Sequence, residues 1–221
     1  MKVEEASFEI LTPISEGGIE ELKKIERIGR ICYKSEDKIK EDGSTAKTFV
    51  SGLIKHGHEA MLEHGSISVL FSVDRGITHE IVRHRVASFA QESTRYCNYS
   101  NEKFGKDITY ININNGIKIE GKQAQDISGI CSEWYQACKD AENHYMKMIE
   151  YGASPQIARS VLPNSVKSQI TVTANYREWR HILKLRAIGT TGKPHPQMVE
   201  IMTKLLNKFH EVLPVLFDDI K

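Results

Sequence analysis

Two periodicities organise the apolar positions of this chain. Ile19, Leu22, Ile25 and Ile28 recur at helical spacing and predict a helix up to about Ile31. Phe49, Val50, Leu53 and Ile54 share one face of a second helix over 45–55. Residues 37–44 between them are polar and contain a glycine, so they read as a loop. The period then changes to two. Ile67, Val69, Phe71 and Val73 alternate and predict a strand over 66–73, and Ile170, Val172 and Ala174 predict another. Shorter strands are expected at 7–12, ended by Pro13, and around Ile108, Tyr110, Ile111 and Ile113.

Helical spacing returns over 125–151, with Ile130, Trp134, Cys138, Ala141, Tyr145 and Met148 expected inward and Gly152 as the stop. Ser154 with Pro155 reads as an N-cap followed by proline at the first helical position. Helices are also expected from about Ile77 into Arg83, over 176–187 and over 196–213, while 88–95 reads as a loop wrapped around a ligand. Helices and strands mix without a composition boundary. This predicts one α+β domain over 1–221, with a mixed or antiparallel sheet flanked by helices.

Composition narrows the function classes. Net charge is +1, which implies no broad polyanion surface and argues against a nucleic-acid partner. No stretch is long and apolar enough to span a membrane, and the first residues, Met-Lys-Val-Glu-Glu, lack the apolar run of a signal peptide. The four cysteines form no C-x-x-C pair and read as reduced thiols of a cytoplasmic protein.

The arginines are more telling. Eight of ten fall in two windows, 75–95 and 159–186, which hold only two of the twenty lysines. Lysine is the general surface cation, and arginine is placed. A guanidinium grips phosphate as a planar fork, so the windows point to a phosphorylated small molecule, with buried arginine–carboxylate pairing as the alternative. Arg83-His84-Arg85, followed by Gln91-Glu92-Ser93-Thr94-Arg95, is the densest cluster, and Glu80 lies one turn before Arg83.

Three further segments stand out. His56-Gly57-His58-Glu59-Ala60-Met61-Leu62-Glu63-His64 invites a metal reading, but its spacing is not H-E-x-x-H, and Gly57 also suits a helix stop. Arg159 sits alone on a short stretch of small and apolar residues ending at Pro163. Asn175 with Glu178 fits a helix start. On the helix that follows, Trp179, Ile182, Leu183 and Arg186 form one stripe, so Arg186 needs a carboxylate or a ligand as partner, and Arg177 and His181 share another face. Ser93 and Cys97 are weak candidates for a nucleophile. Neither a G-x-G-x-x-G motif nor a P-loop is present.

In order, the segments 56–64, 83–95, 158–163 and 175–186 resemble the flavin-dependent thymidylate synthases, and the resemblance spans nearly the whole chain. It implies conversion of dUMP to dTMP with FAD as cofactor, methylenetetrahydrofolate as carbon donor and NADPH as reductant. It also implies a homotetramer with active sites at subunit interfaces. Carried over by motif, His58, Arg83, His84, Arg85, Gln91, Asn175, Tyr176, Arg177 and His181 are expected at FAD, with Glu63 nearby. Glu80, Arg83, Gln91, Glu92, Ser93, Thr94, Arg95, Arg159 and Arg186 are expected at dUMP, with Arg186 as the catalytic residue facing the uracil. No metal is expected. Ala60 stands where many relatives carry a hydroxyl, and either Cys32 or Ser35 is expected at the flavin. Two other functions fit the residues less fully: a metal-dependent nucleotide hydrolase using His56, His58 and His64, and a flavin-free nucleotide-binding regulator.

Overall fold

A computed structural model describes residues 1–221 except for the side chain of Phe104. In chain order the elements are strands β1 (Lys2–Glu4) and β2 (Ser7–Ile10), helices α1 (Ile19–Ile31) and α2 (Ser44–Lys55), strand β3 (Ser66–Asp74) and helix α3 (Arg75–Ile81). Strands β4 (Ala87–Gln91) and β5 (Thr109–Ile111) follow, then helices α4 (Asn114–Glu120), α5 (Ala124–Glu150) and α6 (Pro155–Ala158). Strand β6 (Lys167–Asn175) leads into helices α7 (Tyr176–Leu183), α8 (Pro196–Val212) and α9 (Pro214–Phe217). The fold is α+β. Four strands form a sheet in the order β2-β3-β6-β4, and β1 pairs in parallel with β5 in a second, two-stranded sheet.

The predicted periodic elements are present, and three differences have physical causes. The 88–95 loop is half strand. β4 carries one large apolar residue, Phe89, so its alternation was invisible, and as the last strand in the order it is an edge. The helix expected to run into Arg83 ends at Ile81, which leaves Arg83 on a turn. Ile130 is 38% exposed, not inward, because α5 meets the core only from Trp134 onward.

The residues cluster into two compact units: 1–8, 70–84 and 89–171 form the first, and 9–69, 85–88 and 172–221 form the second. The first has a core of Tyr99, Ile108, Tyr110, Cys138, Tyr145, Ala158 and Val166. Its buried polar atoms are answered. The Tyr110 hydroxyl donates to the Cys138 carbonyl at 3.0 Å, and the Ile108 N–H donates to Glu142 at 2.8 Å. In the second unit α1 packs on α2, and α8 meets α7 and α9. Trp179 stands edge-on to Phe209, which packs on Phe217, and the indole N–H donates to the Ile67 carbonyl at 2.9 Å.

Candidate active site

In the first unit, the turn after β4 faces the turn after α6. Thr94 is buried at 3% exposure, and its hydroxyl accepts from Arg159 at 2.9 Å. Arg95 donates through Nε to Gln156 at 3.1 Å, and its guanidinium lies 5.2 Å from the centre of the Tyr96 ring. A cleft of about 430 Å³ opens here, lined by Arg75, Thr94, Gln156, Arg159, Ser160 and Asn164 among others. Among the described residues, neither Arg95 nor Arg159 has a carboxylate partner, so each keeps most of its donor fork for something else.

The rest of this cluster divides by burial. Arg83 and Arg85 are exposed, while His84 between them is buried at 7%. Glu80 is half-buried, and its carbonyl accepts the Arg83 N–H. Gln91 spends its amide nitrogen on Thr78 (2.9 Å) and Ser168 (3.2 Å), which leaves its carbonyl oxygen as the group to offer a ligand. Ser93 accepts the Arg95 N–H. Glu92 turns into a different cleft, where it accepts from the Tyr99 hydroxyl and the Gln169 N–H. Burial, with Glu92 beside it, pushes the Cys97 thiol up, so this cysteine is held protonated and is a poor nucleophile.

In the second unit, β6 ends at Asn175, whose side chain accepts the Glu178 N–H at 2.8 Å and caps α7. The cap takes one lone pair of the Asn175 side-chain oxygen, and the amide nitrogen keeps two donors for a ligand. A cleft of about 460 Å³ gathers Asn175, Arg177 and His181 with Glu59, Glu63 and Lys184. Arg177 is held by Glu63 at 2.5 Å, and the hydrogen bond and charge of Glu63 raise its pKa further. Arg180 is the buried, paired kind of arginine, at 1% exposure. It makes a bidentate pair with Asp219 at 2.6 and 2.7 Å, a 3.2 Å bond to Glu59, and a bond to the Leu216 carbonyl. Burial works against its charge, but the two carboxylates outweigh that and raise its pKa.

Tyr176 is packed, not presented: its ring lies against Gly65, and burial pushes its hydroxyl up to about 12. His58 lines a separate, apolar cleft of about 290 Å³ with Cys32, Tyr33, Leu53, Ala60 and Met61. Of Cys32 and Ser35, Cys32 is the one that lines it. Arg186 is half-buried on a π-helical turn, 184–188, that follows α7.

A family model described as thymidylate synthase complementing protein matches residues 19–215. A flavin-dependent thymidylate synthase of Corynebacterium aurimucosum is 30% identical over 208 residues, covering 93% of this chain and 82% of that protein. The chain belongs to the flavin-dependent thymidylate synthase family. Another such synthase, from Geobacter sulfurreducens, is 29% identical and covers 86% of this chain and 78% of its own length. Among solved structures, the UMP/dUMP methylase PolB from Streptomyces cacaoi, bound with 5-Br dUMP, matches with a TM-score of 0.80. That match covers 99% of this chain and 96% of PolB at 21% identity, a likeness of fold.

Arg75 and Glu59 are among the cleft residues not singled out from the sequence. Arg75 lines the arginine cleft, and its place in the 75–95 window was the available signal. Glu59 lines the α7 cleft and sits inside the 56–64 segment, where the histidines drew attention first. The arginine windows of this chain therefore hold both kinds of arginine: the open forks of Arg95 and Arg159, and the sealed one of Arg180.

Proposed function

We propose that the protein converts dUMP to dTMP, with FAD as cofactor, methylenetetrahydrofolate as carbon donor and NADPH as reductant. The observation that carries this reading is the arginine cleft of the first unit. Arg75 and Arg159 line it, and Arg95 is bonded to its Gln156. Guanidiniums without carboxylate partners among the described residues, beside the hydroxyl of Thr94, make a seat for a phosphate monoester.

The chain's own groups suit FAD. Exposed Arg83 and Arg85 match a diphosphate, and the Asn175 amide and Arg177 offer donors to the carbonyl edge of a flavin ring. The cleft of Leu53, Ala60 and Met61 offers an apolar wall. When bound, FAD supplies the redox chemistry. The protein's share is to hold, orient and shield. Arg95 and Arg159 bind the phosphate, with Glu80, Arg83, Gln91, Ser93 and Thr94 framing the nucleotide. Glu92 supports that loop from the far side through Tyr99. Arg186 is placed against the uracil imide, where a half-buried guanidinium stabilises negative charge on the base as carbon 5 becomes nucleophilic. The protonated Cys97 thiol fits a reaction with no protein nucleophile.

Three further points belong to this reading. The chain works as one functional domain, since each unit is assembled from three separate stretches and the four motif segments span both. It assembles as a homotetramer that completes its sites between subunits. It works in the cytoplasm, where its four unpaired cysteines stay reduced. No helix among the described residues is long and apolar enough to cross a membrane.

The hydrolase reading finds less support. His56 spends Nδ1 on the Gly52 carbonyl, and among the described residues no three His, Cys, Asp or Glu side chains are grouped to hold a metal. A visible absorption spectrum of the purified protein tests the proposal against both rivals. Flavin bands that bleach with NADPH under anaerobic conditions are expected. A colourless protein that gains no flavin bands on incubation with FAD would overturn it.

A further inference from the structure

A row of alternating charges runs through the α7 cleft. Glu63 holds Arg177 at 2.5 Å, and Glu59 stands 3.9 Å from the same arginine. The other oxygen of Glu59 accepts from Arg180 at 3.2 Å, and Arg180 is closed off by Asp219. Arg177 and Arg180 are one turn apart on α7. Glu59 and Glu63 span the 3-10 turn Glu59–His64, so the two elements are stitched at two points.

We propose that Glu59 is a positioning residue for the flavin site: it fixes Arg177 on α7 and the neighbouring His58 in one frame. The proposal rests on the reading of Arg177 and His58 as flavin-facing groups. Glu59 is 23% exposed, with one oxygen bonded to Arg180 and the other 3.9 Å from Arg177. Nor does Arg180 depend on it. The Asp219 carboxylate pairs with Arg180 bidentately and the Leu216 carbonyl takes a further donor, which answers the buried charge without Glu59. What Glu59 adds is a link to the more exposed Arg177, which is 53% exposed and otherwise tethered by a half-exposed Glu63. His58 directly precedes Glu59, and its N–H donates to the Leu53 carbonyl at 2.8 Å. Its backbone is therefore tied on one side to the end of α2 and on the other to α7. A long, rotamer-rich arginine held in one place costs less entropy when a ligand arrives.

The test is a double-mutant cycle read by FAD binding, with Glu59→Gln, Arg177→Ala and the double variant, each followed by flavin absorbance and a thermal melt. Glu59→Gln should weaken FAD binding roughly tenfold, the scale of coupling between contacting charged residues, while dUMP binding and the melt stay close to the parent. In the Arg177→Ala background the same change should cost little more. A full, additive loss in that background, or parental FAD affinity for Glu59→Gln, would overturn the proposal. If Glu59→Gln does not fold, Glu59→Asp enters the same cycle. It keeps the charge but draws the carboxylate back from both arginines by one methylene, while Arg180 keeps Asp219 and the Leu216 carbonyl. A parent that binds no FAD would instead overturn the flavin reading itself.

Discussion

At the scale of single residues, the decisive distinction is between arginines that are paired and arginines that are open. The sequence showed where arginine was concentrated, but not which kind each was. Arg180 sits between Arg177 and Arg186 in the sequence, yet it is sealed by Asp219, a residue 39 positions away that no local pattern connects to it. Arg159 lines a cleft, and Arg95, 64 residues away in sequence, bonds to that cleft's Gln156; neither has a carboxylate partner among the described residues. Arg95→Lys should therefore weaken dUMP binding by roughly 1.5–3 kcal/mol, since a point charge does not reproduce the bidentate grip. Deoxyuridine, which lacks the phosphate, should bind parent and variant alike. An equal loss for both ligands in a titration would show that Arg95 does not read the phosphate.

The sealed arginine makes a different prediction, about pH. The hydrogen bond from Arg180 holds the Asp219 carboxyl below its ordinary 3.8. A carboxyl whose pKa is lowered by folding stabilises the fold above its unfolded value, and that stability is lost as pH falls through the folded value. Asp219→Asn should melt below the parent at pH 7, and the gap should close as the pH drops below 3.8. A gap that stays constant down to pH 3 would mean that the charge of Asp219 is not what matters.

At the scale of elements, hydrophobic period was a good guide wherever one face is buried. α1, α2, β3, α5, β6 and α8 all fall close to their predicted bounds. The short pieces β1, β4, α4 and α9 were not legible, because three to seven residues are too few to carry a period. The join between the 56–64 segment and α7 was hidden for another reason: it depends on the absence of a side chain. A Cβ on Gly65 would lie 2.1 Å from the Tyr176 ring, and the Tyr176 N–H donates to the Gly65 carbonyl at 3.0 Å. Gly65→Ala must push that buried ring away from the head of α7. It should cost about 1–3 kcal/mol, as overpacking does, and lower FAD affinity as Arg177 shifts with its helix. A denaturant melt and a flavin titration check both, and an unchanged melt would contradict the packing argument.

At the scale of the whole molecule, the motif segments are dispersed along the chain, and the proposed site draws on all of them. In the proposed homotetramer, with sites completed between subunits, one inactive variant would repair another. Mixed oligomers of an Arg95→Ala and an Arg186→Ala variant should recover part of the parental activity through hybrid sites. No recovery in verified mixed oligomers would place each site within one chain. Arg186 carries the chemical step in this account, so Arg186→Ala alone should slow dTMP formation by far more than it weakens FAD binding. A variant that merely unfolds in a melt would make Arg186 a structural arginine like Arg180.

The central claim is that this protein methylates dUMP with a flavin, and dTMP formation measures it directly. FAD-loaded protein given dUMP, methylenetetrahydrofolate and NADPH without oxygen should produce dTMP. Leaving out any one of the three, or stripping the flavin, should abolish product. Failure of the complete mixture to form dTMP, or product formation that continues without flavin or NADPH, would contradict the account.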